Sequence, residues 1–116
     1  MQYALMLYSN ESAWTALTPD QQKDGMAAYH AFNAALTKAG AFVSTHRLQS
    51  STAAATVRTA NDKTQVLNGP FADSKEQVGG IYIIDAPDFD AALAWAARCP
   101  GAGHGVVEVR PLWPTA

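Results

Sequence analysis

Between residues 68 and 80 the chain reads Asn-Gly-Pro-Phe-Ala-Asp-Ser-Lys-Glu-Gln-Val-Gly-Gly, and no other segment packs turn chemistry, charge and apolar sequence so tightly. Asn68 and Gly69 tolerate positive φ, and Pro70 holds its own φ at about −65°. Asp73, Lys75 and Glu76 follow, and Gly79-Gly80 opens the apolar run Ile81 to Ile84. A glycine pair at a strand entrance predicts a bulge, or the close approach of another backbone or a ligand. The fold must therefore be built around a chain reversal that delivers the chain into a buried strand.

The remaining elements fall on either side of that reversal. Gln2 to Tyr8 sets Tyr3, Leu5 and Leu7 on one face and Ala4, Met6 and Tyr8 on the other, the pattern of a central strand covered on both sides. Ser9 to Ala16 reads as a polar loop. Thr18 as N-cap, Pro19 at the first helical position and Gln21 three residues after the cap start a helix that should run to Ala39, with Gly40 as its left-handed stop. Tyr29, Phe32 and Leu36, with Met26 alongside, form its buried stripe. Gly25 costs roughly 1 kcal/mol there against Ala, which points to close packing.

Ala41 to Gln49 reads as a strand, and 54–60 with 63–67 as a hairpin about Asn61-Asp62. Gly80 to Asp85 is a second central strand. Asp88 caps a second helix with Phe89, Ala92, Leu93 and Ala96 as its core face, ended by Cys99-Pro100-Gly101. Gly105 to Trp113 is the last strand. The order β-α-β-hairpin-β-α-β gives an α+β split βαβ, ferredoxin-like sandwich with an inserted β-hairpin. Two helices cover one face of such a sheet, so a second copy should cover the other, and a homodimer is expected.

Composition narrows the function classes. The 116 residues suit a single domain of 1–116, and a formal charge of −2 provides no basic field for nucleic acid or an anionic membrane. No apolar run approaches the ~20 residues needed to span a bilayer. The start of the chain has neither a basic leader nor a cleavage site, and one cysteine, Cys99, makes no internal disulfide, so a cytoplasmic setting is expected. His30, His46 and His104 lack metal-ligand spacing, and there is no phosphate loop, dinucleotide fingerprint or Gly-x-Ser-x-Gly elbow. We expect no metal and no cofactor. Cys99, at a helix C-terminus beside Pro100, lacks the positive end that lowers a thiol pKa and reads as a packing residue.

The segment from Asn68 to Gly80 resembles the DGPFAETKE motif, and Trp95-Ala-Ala-Arg-Cys-Pro-Gly101 followed by Val107-Glu-Val-Arg-Pro111 resembles the closing segment of the same family. Over nearly its full length the chain is similar to the DGPF-domain branch of the YCII-related proteins. That resemblance implies a dimeric α+β barrel of ferredoxin-like protomers, a family largely without assigned activity, and genes sometimes adjacent to extracytoplasmic-function sigma factors. It also implies a His-Asp pair as a candidate active site. Asn68 stands where the motif has Asp, which keeps the turn and a carbonyl acceptor but removes a titratable group. We read that position as a turn-former.

Six residues are candidates for chemistry. His30, beside the buried stripe of the first helix, suits general acid–base work, or is a half-exposed surface histidine. No carboxylate lies at helical spacing from it, so Asp73 from the 68–80 loop is the expected partner, unless Asp73 only caps a turn. Glu108 and Arg110 share a strand face and could orient a carboxylate or carbonyl ligand, or simply form an ion pair. Tyr8 and Tyr82 could line a pocket with their hydroxyls, or pack as core aromatics. The leading expectation is a dimeric small-molecule binder or cofactor-independent acid–base enzyme, with a cleft between sheet and first helix, His30 as base and Arg110 or a loop amide stabilising negative charge. The alternative is a non-enzymatic dimerisation or protein-interaction module linked to sigma-factor regulation.

Overall fold

The computed structural model describes residues 1–114. In chain order the elements are β1 (Gln2–Asn10), α1 (Glu11–Thr15), α2 (Pro19–Lys38), β2 (Phe42–Arg47), β3 (Ala55–Ala60), β4 (Lys63–Asn68), β5 (Glu76–Asp85), α3 (Phe89–Arg98) and β6 (Val106–Pro111), with short 3-10 turns at Ser51–Ala53 and Pro100–Gly103. The four-stranded sheet runs β2-β5-β1-β6 with every neighbouring pair antiparallel, and β3-β4 form a separate ribbon. This is the α+β split-βαβ order, with β1 and β5 central as their two-sided apolar character requires.

The start of α2 follows its sequence signature. Thr18 Oγ1 accepts from the Gln21 N–H at 3.1 Å, and the Gln21 side chain accepts from the Thr18 N–H at 2.9 Å, so two orphan donors are satisfied reciprocally. Its stop is Gly40, at φ 72°. The buried side of the helix, Phe32 and Leu36, packs on Tyr3, Leu5, Tyr82 and Ile84 of the sheet and on Ala92 and Ala96 of α3. Burying each large side chain there contributes about 2 kcal/mol. The thiol of Cys99 is buried in the same core, and that desolvation pushes its pKa up, as suits a packing residue.

Three sequence expectations shift. Residues 11–15, expected as polar loop, form a short helix because Asn10 caps it, its side chain accepting from the Ser12 N–H at 3.1 Å. β1 and β5 are longer than their apolar runs, pairing onward as Tyr8↔Val78, Ser9↔Gln77 and Asn10↔Glu76 beyond a bulge. The bulge skips Gly79, the glycine pair's first member, so one of the alternatives raised for that pair is realised. In α3, Ala92 and Ala96 are buried but Leu93 and Phe89 are exposed. Trp95 takes the space over Phe32 instead, at 6.3 Å between ring centroids.

Register assigns the far face of the sheet to Ala4, Met6, Ile81 and Ile83, with Glu108 and Arg110 beside them. No helix among the described residues packs there. The β3-β4 ribbon turns at Asn61 and Asp62, both at positive φ (52° and 61°), the geometry a two-residue hairpin needs. Asn68 ends β4, and Gly69 takes the positive φ while its N–H reaches Ala54 O at 2.8 Å.

Candidate functional site

A cleft of about 430 Å³ lies where β1, β2 and β5 meet α1 and α2, within the size range of small-molecule pockets. The Gly79 bulge makes room for it on the sheet side. Gly79 and Gly80 both line it, and a Cβ built on Gly79 meets nothing within 4 Å. From α2 come Met26, Tyr29, His30 and Asn33, one turn apart along the helix as spacing of three and four requires. From β2 come Thr45 and Arg47, and from β5 Tyr82.

The short helix α1 supplies the remaining wall through Glu11 and Trp14. Trp14 seats on α2 at Gly25, where an added Cβ would come within 3.3 Å of the indole, so the glycine is what lets the two helices approach. The Arg47 guanidinium stacks over Trp14 at 5.1 Å from the ring centroid. Glu11 fastens the wall to the turn after β2. Its carboxylate accepts from the Ser51 N–H and hydroxyl, both at 2.8 Å, and from the Ser50 hydroxyl at 3.3 Å. Those bonds hold its carboxyl below the ordinary range, the Ser51 backbone bond contributing most.

The floor is aromatic and donor-rich. Tyr82 donates to Asn33 Oδ1, and Thr45 Oγ1 donates to the Ile81 carbonyl at 3.2 Å. Burial, aided by repulsion from Cys99 and Tyr82, pushes the Tyr29 hydroxyl up to about 12, so it stays a neutral donor at physiological pH. A second hollow of about 370 Å³ between α3 and β6, lined by Leu93, Ala96, Val107 and Val109 among others, holds no titratable side chain.

His30 and Tyr82 are thus brought into one cleft, His30 exposed at the rim and Tyr82 buried at the floor. Asp73 is exposed on the connection between β4 and β5 and does not line the cleft; the carboxylate that does is Glu11. Tyr8 pairs with Val106 on the far face of the sheet from Leu7. Glu108 and Arg110 form an ion pair at 2.5 Å on that same far face, with Arg110 exposed and Glu108 half-buried. Sequence reasoning did not single out Glu11, Trp14, Asn33, Thr45 or Arg47 for the site. One signal was present: Asn10 before Glu11-Ser12 is an N-cap with an acidic first turn, which would have put Trp14 on a helix.

The model of the YCII-related domain matches residues 1–116. An uncharacterised protein of Rhizobium meliloti (strain 1021) is 38% identical over 114 residues, covering 97% of this chain and 92% of that protein. Among solved structures, a 5-chloro-2-hydroxyhydroquinone dehydrochlorinase from Burkholderia phenoliruptrix AC1100, in complex with 2,5-dihydroxybenzoquinone, aligns over 100% of this chain and 96% of its own, with TM-score 0.57 and 15% identity. At that identity the likeness is one of fold.

Proposed function

The chain belongs to the YCII-related family, and from that premise we propose that the cleft between sheet and α2 binds a small organic ligand, with His30 as its proton acceptor. The observation that supports this reading is convergence: a histidine, two tyrosines, an asparagine and an arginine, drawn from three elements, border one cavity of ligand size. Asp73 lies outside that lining, so the reading assigns proton transfer to His30 alone. The finer placement we propose is the DGPF-type branch, in a cytoplasmic homodimer whose protomers meet through the open sheet face. The apolar centre of that face, Met6, Ile81 and Ile83, supports it.

Thermal-shift and calorimetric titration with 2,5-dihydroxybenzoquinone and simple aromatic acids provide the test, followed by deuterium exchange of the bound ligand's acidic C–H groups in D2O. Binding should be lost in Gly79→Leu, whose side chain would fill the open cleft, and exchange should be lost in His30→Ala with binding weakened. Exchange that persists in His30→Ala removes His30 from the chemistry; binding that survives Gly79→Leu removes the cleft. A second reading is favoured by the exposed apolar residues Val57, Val66, Leu67 and Phe71 on and beside the hairpin. There the protein is an interaction module, and the same titrations would return no ligand.

A further inference from the structure

The hydrogen-bond inventory of the cleft leaves several donors unengaged. The Tyr82 hydroxyl proton and the Thr45 hydroxyl proton are both given to protein oxygens, Asn33 Oδ1 and the Ile81 carbonyl. Glu11, the cleft's carboxylate, has its oxygens taken by Ser50 and Ser51, and it forms no ion pair with Arg47. Several groups then have no protein oxygen to donate to among the described residues. Among them are the Asn33 amide NH2, the Tyr29 hydroxyl and the Arg47 guanidinium, whose one hydrogen bond is to the weak acceptor Met26 Sδ at 4.0 Å. All three are donors. The cleft also holds acceptors, His30 among them, but its unengaged donors favour a ligand rich in acceptor atoms.

Arg47 decides the charge of that ligand. Its guanidinium lies over the Trp14 ring, so one face is covered while the N–H edge remains available. A stacked guanidinium is held in place before the ligand arrives, and its planar fork matches the two oxygens of a carboxylate. The walls around it, Trp14, Met26, Tyr29 and Tyr82, are aromatic or thioether surfaces suited to a flat ring. We propose that Arg47, seated on Trp14, is an oxyanion subsite that makes the cleft selective for planar aromatic carboxylates over their neutral counterparts. This rests on the cleft being a ligand site and adds which ligands enter it.

A matched pair separates the two claims: 2,5-dihydroxybenzoate and 2,5-dihydroxybenzamide, titrated by calorimetry and by the indole N–H resonance of Trp14 in 15N-labelled protein. The wild type should prefer the acid by about tenfold, the scale of one charge-assisted bond. Arg47→Gln should lose that preference, and Arg47→Lys should keep part of it. Circular dichroism on each variant separates lost binding from lost folding. Equal binding of acid and amide by the wild type, or a preference that survives Arg47→Gln, overturns the subsite and leaves the cleft standing. No response of Trp14 to either compound at millimolar concentration overturns both.

Discussion

Gly105 is the most tightly hemmed glycine among the described residues. A Cβ added there would lie 2.0 Å from the Tyr8 carbonyl oxygen and 3.2 Å from Ser9 Cα, against backbone that cannot swing aside. The β1-β6 pairing begins at Tyr8↔Val106, one residue away, so the clash falls on the central strand. Gly105→Ala should cost about 3 kcal/mol by overpacking, read as a lower midpoint in urea with the slope unchanged. A stability within error of the wild type would mean that β6 can be displaced freely. Gly25 shows how far a single residue can be read from the chain: its position inside a helix announces close packing, but the partner, Trp14, is eleven residues earlier and is set by the tertiary fold.

Among the elements, α2 and α1 make an instructive contrast. The twenty residues of α2 carry cap, proline, stripe and stop, and each lies within a few positions of the next, so the helix was legible throughout. The five residues of α1 bury none of their side chains completely and show no periodicity, and a helix this short is held by its cap and its neighbours. Its tie to the body is the Glu11 carboxylate on Ser51. Because the folded pKa of Glu11 is below its ordinary value of 4.5, the tie stabilises the fold fully above that value and is lost as pH falls through the lowered one. Glu11→Gln should therefore lower the melting temperature at pH 7 and converge on the wild type in strong acid. A gap that stays constant down to pH 2 would show that the carboxylate's charge contributes nothing.

For the molecule as a whole, shape carries the information. The Cα radius of gyration is 16.2 Å and the extents are 48 × 45 × 17 Å, against roughly 13 Å for the gyration radius of a compact chain of this length. The excess reflects a thin slab with one open sheet face and a hairpin exposed on both sides, Val57 63% exposed on one and Leu67 60% on the other. A two-stranded ribbon alone is marginal in water. If a twin covers the open face, light scattering should give about twice the 12.3 kDa of one chain, and Ile83→Lys should give a folded monomer. A wild-type monomer, or an unchanged dimer in Ile83→Lys, would remove the proposed interface.

Local patterns carried what depends on neighbours within a turn or a strand: the split-βαβ element order, the α2 cap, the Asn61-Asp62 hairpin turn, the alternation that puts Val107 and Val109 opposite Glu108 and Arg110, and the family resemblance. Those features obey caps, φ limits and two- or 3.6-residue periods, all written in contiguous residues. The cleft was different. It exists because a bulge at Gly79 slips β1 against β5, because Trp14 finds Gly25, and because Arg47 comes to rest on that indole. Each of these joins residues far apart in sequence, and long-range packing, which no local period encodes, brought them together.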